Sequence, residues 1–160
     1  MRLILLTTAL LASCATARAS LSEESLVGTW ECGPTTMQGP NFDLVVTTRT
    51  TNNHDHTYSS LTTSVITPHG QAAVTNKDIA YGSWRLEADV ISSTVERVQF
   101  LSSSDPTFSR ELGQQIQEAQ LKKKSVYKSR VLDFDGNTSR SVPVDSMYKE
   151  AVVESSCRRV

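Results

Sequence analysis

The alternation of apolar and polar positions divides this chain into an apolar start, a long region with strand-like patterning and one helical segment. Residues 3–12 are apolar apart from two threonines, and Arg2 precedes them. From residue 26 onward, short segments rich in valine, threonine and aromatic residues are separated by glycine, proline, asparagine and aspartate. This pattern is typical of antiparallel strands. The sequence therefore predicts a short apolar leader followed by a mainly β domain.

The strand-like segments amount to about eight strands. The turn signals Asn52–Asp55 and Asp135–Asn137 separate neighbouring segments, because asparagine and aspartate side chains bond to their own backbone. Residues 33–41 hold two glycines and two prolines and are predicted to form a loop. A series of short antiparallel strands predicts a small up-and-down β-barrel. The segments are residues 26–32, 42–51, 56–67, 71–74 paired with 78–86, 90–101, 126–134, 140–144 and 148–158.

One segment, residues 105–124, departs from the strand pattern. Asp105 and Pro106 form a helix start, with aspartate as the cap and proline in the first turn. Gly113 weakens this helix by about 1 kcal/mol relative to alanine. The fold prediction is thus an antiparallel barrel with one α-helix near residues 105–124. Apolar residues recur every three or four positions and so share one helix face: Phe108, Leu112, Ile116 and Ala119.

The apolar start has the features of an export signal: a basic residue, a short apolar run and small residues near a cleavage site. The run falls short of the ~20 residues that a helix needs to span a bilayer. Leu11-Ala12-Ser13-Cys14 resembles the lipobox of bacterial lipoproteins. That resemblance implies cleavage before Cys14 and lipidation of the new amino terminus. Ala17-Arg18-Ala19 offers an alternative site before Ser20, and in a third interpretation Cys14 is merely a small residue in a discarded leader.

The two cleavage sites predict two locations. Acyl chains on Cys14, contributing about 0.8 kcal/mol per buried CH₂, would anchor the protein to a membrane. Ala15 stands where enterobacterial lipoproteins retained at the inner membrane have aspartate, so the resemblance implies an outer-membrane lipoprotein facing the periplasm. Cleavage before Ser20 instead yields a soluble periplasmic or secreted protein. The predicted domain organisation is a signal peptide at residues 1–19, a polar tether at 20–25 and a barrel domain at 26–160.

Two cysteines remain outside the leader, Cys32 near the start of the domain and Cys157 near its end. An even number of cysteines in an exported chain predicts a disulfide bond. Closing a loop of this length is worth about 4–5 kcal/mol in the chain-entropy account of disulfides. Two buried free thiols are the alternative interpretation. We expect the bond, which would tie the first core strand to the last.

The charge of the domain argues against nucleic acid as a partner. The whole chain has 16 basic and 17 acidic residues and a formal net charge of −1. Because Arg2 and Arg18 lie in the leader, the remainder has 14 basic and 17 acidic residues, a net charge of −3. It therefore lacks the basic excess of a nucleic-acid-binding surface.

The sequence contains none of the catalytic motifs that would identify an enzyme, and we expect the protein not to be one. It lacks G-x-S-x-G, H-E-x-x-H and a phosphate-binding glycine loop. His54 and His56 are spaced so that both imidazoles could lie on one side of a strand, with His69 as a third metal ligand. Solvated histidines in a polar turn explain this pair better. Neither a metal nor a cofactor is therefore predicted.

Short motifs in the strands resemble those of the lipocalins and their calycin relatives. Gly28 and Trp30 match the G-x-W of the first lipocalin strand, and Gly82-Ser83-Trp84 repeats the motif. Asp55-His56-Thr57-Tyr58 resembles the Asp-Gly-Thr-Tyr hairpin of small bacterial lipocalin-like domains. Cys157-Arg158-Arg159 is similar to their terminal cysteine and basic residue.

The resemblance implies a lipocalin-like barrel and covers residues 26–66 and 79–101 best. It implies that Trp30 lies across the closed end of the barrel, with Arg158 packed against it. Each buried aromatic side chain removes about 150–250 Å² from water, so Trp30 and Trp84 are both expected to anchor the core. Lipocalins place their helix after the eighth strand, whereas the helix predicted here precedes the last strands.

The leading functional hypothesis is a cell-envelope protein that binds a small apolar ligand in the barrel mouth. The alternative is an interaction module that binds another envelope protein, for example as an inhibitor or assembly factor, or a structural envelope component. An apolar cavity of about 300 Å³ or more would favour a ligand. A filled barrel with an exposed apolar patch would favour a protein partner.

Overall fold

The computed structural model describes residues 20–146 and 152–160, which form eight strands and two helices. Each strand pairs antiparallel with the next, and β1 pairs with β8, so the sheet closes into an up-and-down barrel. The predicted fold class is confirmed. In chain order the elements are α1 (Glu23–Leu26), β1 (Gly28–Gln38), β2 (Phe42–Asn52), β3 (Thr57–Pro68), β4 (Val74–Glu87), β5 (Val90–Ser103), α2 (Arg110–Lys123), β6 (Val126–Phe134), β7 (Thr138–Pro143) and β8 (Ser155–Arg159).

The barrel is closed over only part of its length. Strands β1 to β5 have 11 to 14 residues, whereas β6, β7 and β8 have 9, 6 and 5. In the described residues, β8 pairs with β1 only from Trp30 to Cys32, and β6 pairs with β5 only from Val90 to Thr94. Beyond these positions the five long strands continue alone. We call the end near Trp30 the closed end and the opposite end the open end.

At the open end, α2 takes the place that a longer β6 would occupy beside β5. The backbone N–H of Phe100 donates to Gln114 Oε1 at 2.8 Å, and Gln114 Nε2 donates to the carbonyl of Val98 at 3.0 Å. The glutamine amide thus bonds the edge of β5 as a strand peptide would. The helix approaches so closely that a Cβ on Gly113 would lie 2.4 Å from the Phe100 ring. Glycine at this position therefore allows the contact.

The helix begins later than the sequence predicted. Its N-cap is Ser109, whose hydroxyl accepts from the N–H of Leu112 at 3.1 Å, and Asp105 is not the cap. Asp105 instead forms a local turn, because its carboxylate accepts from the N–H and hydroxyl of Thr107 at 2.8 and 2.7 Å. Aspartate followed by a threonine two residues later favours such a turn as readily as a helix start.

Two strand predictions were also wrong. The predicted pair 71–74 and 78–86 is replaced by a single strand, β4, which begins at Val74. Residues 71–73 lie before it, and residues near Asn76 pair with β3 on one side and β5 on the other. The predicted loop 33–41 is mostly strand, since β1 continues to Gln38. A register shift between Cys32 and Thr35, with Gly33 at φ +96°, accommodates the glycine and proline as a bulge.

The two ends of the domain differ from the prediction as well. Residues 20–25, expected to be a tether, include the start of α1, where Ser22 and Ser25 form a reciprocal cap. This turn places the buried Leu26 against the core. The closing strand is Ser155–Arg159, shorter than the predicted 148–158, because residues 152–154 have no strand partner. Residues 147–151 lie outside the described part.

Candidate functional site

The closed end is a small aromatic core. Trp30 is 4% exposed and Trp84 3%. The Trp30 indole N–H donates to the carbonyl of Leu26 at 2.9 Å, and its ring centroid lies 6.1 Å from that of Phe134. Residues Leu26, Trp30, Tyr58, Trp84, Val131 and Phe134 form this cluster. It forms the floor of the barrel interior.

The arginine that packs on Trp30 is Arg159, not the predicted Arg158. Its guanidinium carbon lies 4.4 Å from the centroid of the Trp30 ring. The same group donates to the carbonyls of Val27, Ser25 and Gly136 at 2.6, 2.5 and 3.0 Å.

Arg158 points outward and its Nη2 lies 2.7 Å from Glu31 Oε2. The prediction missed the alternation of the strand: Cys157 faces inward, so Arg159 does too and Arg158 does not.

The predicted disulfide joins Cys32 and Cys157, which lie opposite each other on β1 and β8. The bond spans 125 residues of sequence. It closes the barrel where β8 pairs with β1 and forms part of the inner wall. Cys14, the predicted lipidation site, and both predicted cleavage sites lie outside the described residues.

Above the aromatic floor, the interior holds a cavity of about 200 Å³, which we call the lumen. Its apolar lining lies mostly near the floor, and its walls carry hydroxyls from several strands. One wall hydroxyl already has a partner on the neighbouring strand, because the Thr50 and Ser60 hydroxyl oxygens are 2.7 Å apart. The lining consists of Leu26, Trp30, Cys32, Thr50, Asn52, Ile91, Ser93, Tyr127, Ser129, Val131, Ser139, Ser141 and Cys157. The lumen is therefore amphipathic.

A second cavity, of about 170 Å³, lies between α2 and the inward faces of β4 and β5; we call it the mouth pocket. Its lining is Asp78, Ala80, Val95, Val98, Gln117, Gln120, Leu121 and Tyr127. Tyr127 also lines the lumen, so the two cavities are neighbours. Burial raises the pKa of the Asp78 carboxyl to about 6. The nearest described donor is Gln117 Nε2, at 3.4 Å from Asp78 Oδ1.

Sequence reasoning missed Asp78, although a signal was present. Trp84 faces inward, and side chains on a strand alternate between its faces. Counting back in steps of two from Trp84 places Gly82, Ala80 and Asp78 on the same inward face. An aspartate at such a position is a candidate functional residue, because a carboxylate in a barrel interior needs a partner.

The histidines do not converge. His54 and His56 lie in the turn between β2 and β3, not on a strand face as the metal interpretation required. His54 Nδ1 lies 3.3 Å from Glu24 Oε2, and His56 Nδ1 lies 4.0 Å from Glu23 Oε1. His69 lies at the other end of β3, 3.8 Å from Asp43. Within the described ranges, no three His, Cys, Asp or Glu side chains are grouped so that they could hold a metal.

Helix α2 turns its polar side to the barrel. Gly113, Gln114 and Gln117 contact the sheet or line the mouth pocket, whereas Leu112 is 44% exposed and Ile116 37%. Amphipathic helices usually bury such an apolar stripe. Here the glutamines are needed at the barrel, because they bond the β5 edge and Asp78. Among the described residues, neither helix is long and apolar enough to span a membrane.

No model of a known protein family matches the chain, and a search of curated proteins finds no relative that matches it. The closed eight-stranded antiparallel barrel is consistent with a lipocalin-like barrel. The G-x-W residues Gly28 and Trp30 lie at the closed end of that barrel, at the start of β1.

Proposed function

We propose that this protein is an exported, lipocalin-like binding protein of the bacterial cell envelope that holds a small molecule in its barrel. The observation that carries the proposal is the lumen, with an aromatic floor and hydroxyl-lined walls. Its volume of about 200 Å³ is below the ~300–1,000 Å³ of sites for drug-sized ligands. The ligand we propose is therefore smaller than a typical lipid and partly polar.

The lining supports binding better than catalysis. Among the residues that line the lumen in the described part of the chain, the polar groups are serine, threonine and tyrosine hydroxyls and one asparagine amide. General acid–base chemistry near neutral pH is usually performed by histidine, carboxylate or lysine. A ring of hydroxyls above an aromatic floor instead orients one polar group of a ligand while its apolar body stacks below.

Export is supported by the leader pattern and by the disulfide. Bonds such as Cys32–Cys157 form and persist in oxidising compartments such as the periplasm. Mass spectrometry of the mature amino terminus tests the location. An acylated Cys14 is the result expected for a membrane-anchored lipoprotein, and a free Ser20 is expected for a soluble periplasmic or secreted one. Retention of Met1 in the mature chain would contradict export altogether.

Ligand binding is tested with 4-methylphenol, whose ring and single hydroxyl match the size and polarity of the lumen. We expect saturable binding that changes the fluorescence of Trp30. Ser141→Leu places a larger side chain in the lumen and should weaken 4-methylphenol binding at least tenfold. Ser156→Leu is the matched control, because Ser156 is exposed on β8 between two inward residues. Equal weakening by both variants, or no binding by the unaltered protein, would count against the proposal.

A protein-interaction module is the second candidate function, and the exposed stripe of α2 favours it. Leu112 and Ile116 lie one helical turn apart on the surface. A photo-crosslinking amino acid at position 116 should then give a discrete adduct in intact cells, and one at the exposed position 115 should not. If neither position, or both equally, yields adducts, the stripe is not a docking surface.

A further inference from the structure

The mouth pocket contains a negative charge without a positive partner. Asp78 faces inward from β4 in register with Thr62 of β3 and Phe100 of β5. The other lining residues are uncharged: two glutamines, Tyr127 and aliphatic side chains. No lysine, arginine or histidine of the described residues makes a salt bridge to Asp78. A carboxylate removed from water is stabilised by an opposite charge.

The same strand face carries a buried acceptor without a donor. Asn76 lies two residues before Asp78 and shares its inward face, since β3 and β4 pair without a register shift. Its Oδ1 is buried and accepts no hydrogen bond. A buried acceptor without a donor is costly in a folded protein. Asn76 Oδ1 therefore lacks a donor within the described chain, and the Asp78 carboxylate, which accepts from Gln117, can accept further hydrogen bonds.

Tyr127 adds an aromatic ring to the lining of the pocket. A ring face attracts cations, and this ring already does so, because Lys124 Nζ lies 5.3 Å from its centroid. Lys124 itself is bound to Asp145, with Nζ 3.3 Å from Oδ1. The pocket thus combines a carboxylate, side-chain amides and an aromatic ring, the groups that recognise an ammonium ion.

We propose that the mouth pocket binds the primary ammonium group of a small aliphatic amine, with Asp78 as its counter-ion. This inference deepens the proposed function, because it names the chemical class of the barrel ligand. An ammonium supplies one positive charge and three donors, which the Asp78 carboxylate and the amide oxygens of Gln117 and Gln120 can accept. A divalent metal would need more carboxylates than the described pocket offers.

The size of the pocket limits the amine. At about 30 Å³ for each group of water size, a cavity of about 170 Å³ holds five or six such groups. An unbranched chain of about five carbons with a terminal ammonium fits. Since Tyr127 borders both cavities, a larger amine could extend its body into the lumen.

The test uses n-pentylammonium, with 1-pentanol as the neutral analogue and pentanoate as the anionic one, measured by titration calorimetry at pH 7.5. We expect the amine to bind at least tenfold more tightly than the alcohol, and pentanoate not to bind. Asp78→Asn should weaken amine binding at least tenfold. Asp89→Asn, which removes an equal charge from an exposed residue paired with Arg130 at the β4–β5 turn, should change it less than twofold.

Two further measurements separate the possible failures. Ala80→Leu fills the pocket without changing its charge and should also abolish amine binding. At pH 5 the amine should bind the unaltered protein about tenfold more weakly than at pH 7.5, because Asp78 is then mostly protonated; Tyr127, the other titratable group in the pocket, stays neutral over this range.

Equal binding of amine and alcohol, or unchanged amine binding in Asp78→Asn, would overturn the inference. If 4-methylphenol binding and its loss in Ser141→Leu persist in that case, the proposed function stands. If 4-methylphenol does not bind while the amine binds through Asp78, the mouth pocket is the binding site and the lumen is not.

Discussion

The closed and open ends of this barrel are built differently, although the same five strands run through both. At the closed end, Trp30 and Trp84 are almost fully buried and all eight strands take part. At the open end, β1 to β5 continue alone and a helix with a glutamine-rich face replaces the missing strands. The buried hydrophobic cluster lies at the first end. The second end holds Asn76 Oδ1, which has no donor, and the Asp78 carboxylate, which has no salt-bridge partner among the described residues. We infer that the closed end stabilises the fold and that the open end is available for binding.

The largest effect is expected from truncating the aromatic floor. Trp30→Ala removes a buried indole, its bond to Leu26 and the ring beneath Arg159, so we expect a loss of about 3–5 kcal/mol in the free energy of unfolding. Leu112→Ala at the open end should cost less than about 1 kcal/mol, because Leu112 is largely exposed. Urea unfolding at pH 7 measures both. Similar losses in the two variants would remove the distinction between the ends.

The disulfide gives the next largest effect. Replacing Cys32 and Cys157 together by alanine should lower the free energy of unfolding by about 2–4 kcal/mol, since the bond closes a very long loop. Reductant should lower the stability of the unaltered protein by a similar amount and leave the double variant unchanged. If reductant has no effect on the unaltered protein, the bond does not contribute to stability as the barrel geometry indicates.

Adjacent arginines provide a finer comparison within one strand. Arg159→Ala removes three hydrogen bonds to backbone carbonyls and the contact with Trp30, and we expect a loss of about 2–3 kcal/mol. Arg158→Ala removes an exposed ion pair with Glu31, worth less than about 1 kcal/mol. Thermal unfolding of the two variants at equal ionic strength distinguishes them. The reverse order would show that Arg158, as the family resemblance implied, is the arginine on the floor.

Comparing the structure with the sequence predictions shows which parts of the molecule its sequence could predict. The mainly β fold, the barrel and the disulfide followed from period-two patterning, turn residues and the number of cysteines. These signals can be read from the sequence without knowledge of tertiary contacts. The strand alternation was also in the sequence, and applying it from Cys157 and Trp84 would have placed Arg159 and Asp78 inside. That step needs only one residue of known orientation on each strand.

Other features depend on tertiary contacts that no local pattern records. Asp105 and Ser109 are both good helix caps, and in the structure Asp105 accepts from Thr107 in a turn while Ser109 caps α2. The inward side of α2 is polar because Gln114 completes the edge of β5, which a hydrophobic-stripe argument cannot anticipate. Likewise, Gly113 weakens the helix locally but permits its contact with Phe100. For Gln114 and Gly113, a non-local packing requirement overrides the local preference.

The smallest predicted effect concerns Asp78 and has the opposite sign from the others. Its pKa is raised by burial from 3.8 to about 6 in the folded protein. Between these values the folded state holds a proton that the unfolded state has released, so this group lowers stability as the pH rises through that range. Asp78→Asn removes the ionisable group. It should therefore raise the free energy of unfolding at pH 8 by about 1 kcal/mol, after allowance for partial solvation.

At pH 4 the same substitution should have little effect, because the carboxyl is then protonated in the folded state. The comparison must be made as a difference between the two proteins. Hydrogen bonds within exposed turns lower the pKa values of Asp55, Asp105 and Asp135, and their contribution to stability is lost as the pH falls. Those groups are common to both proteins and cancel. A variant that is less stable than the unaltered protein at pH 8 would mean that Asp78 has a stabilising partner within the chain, and the open end would then hold no unpaired charge for a ligand.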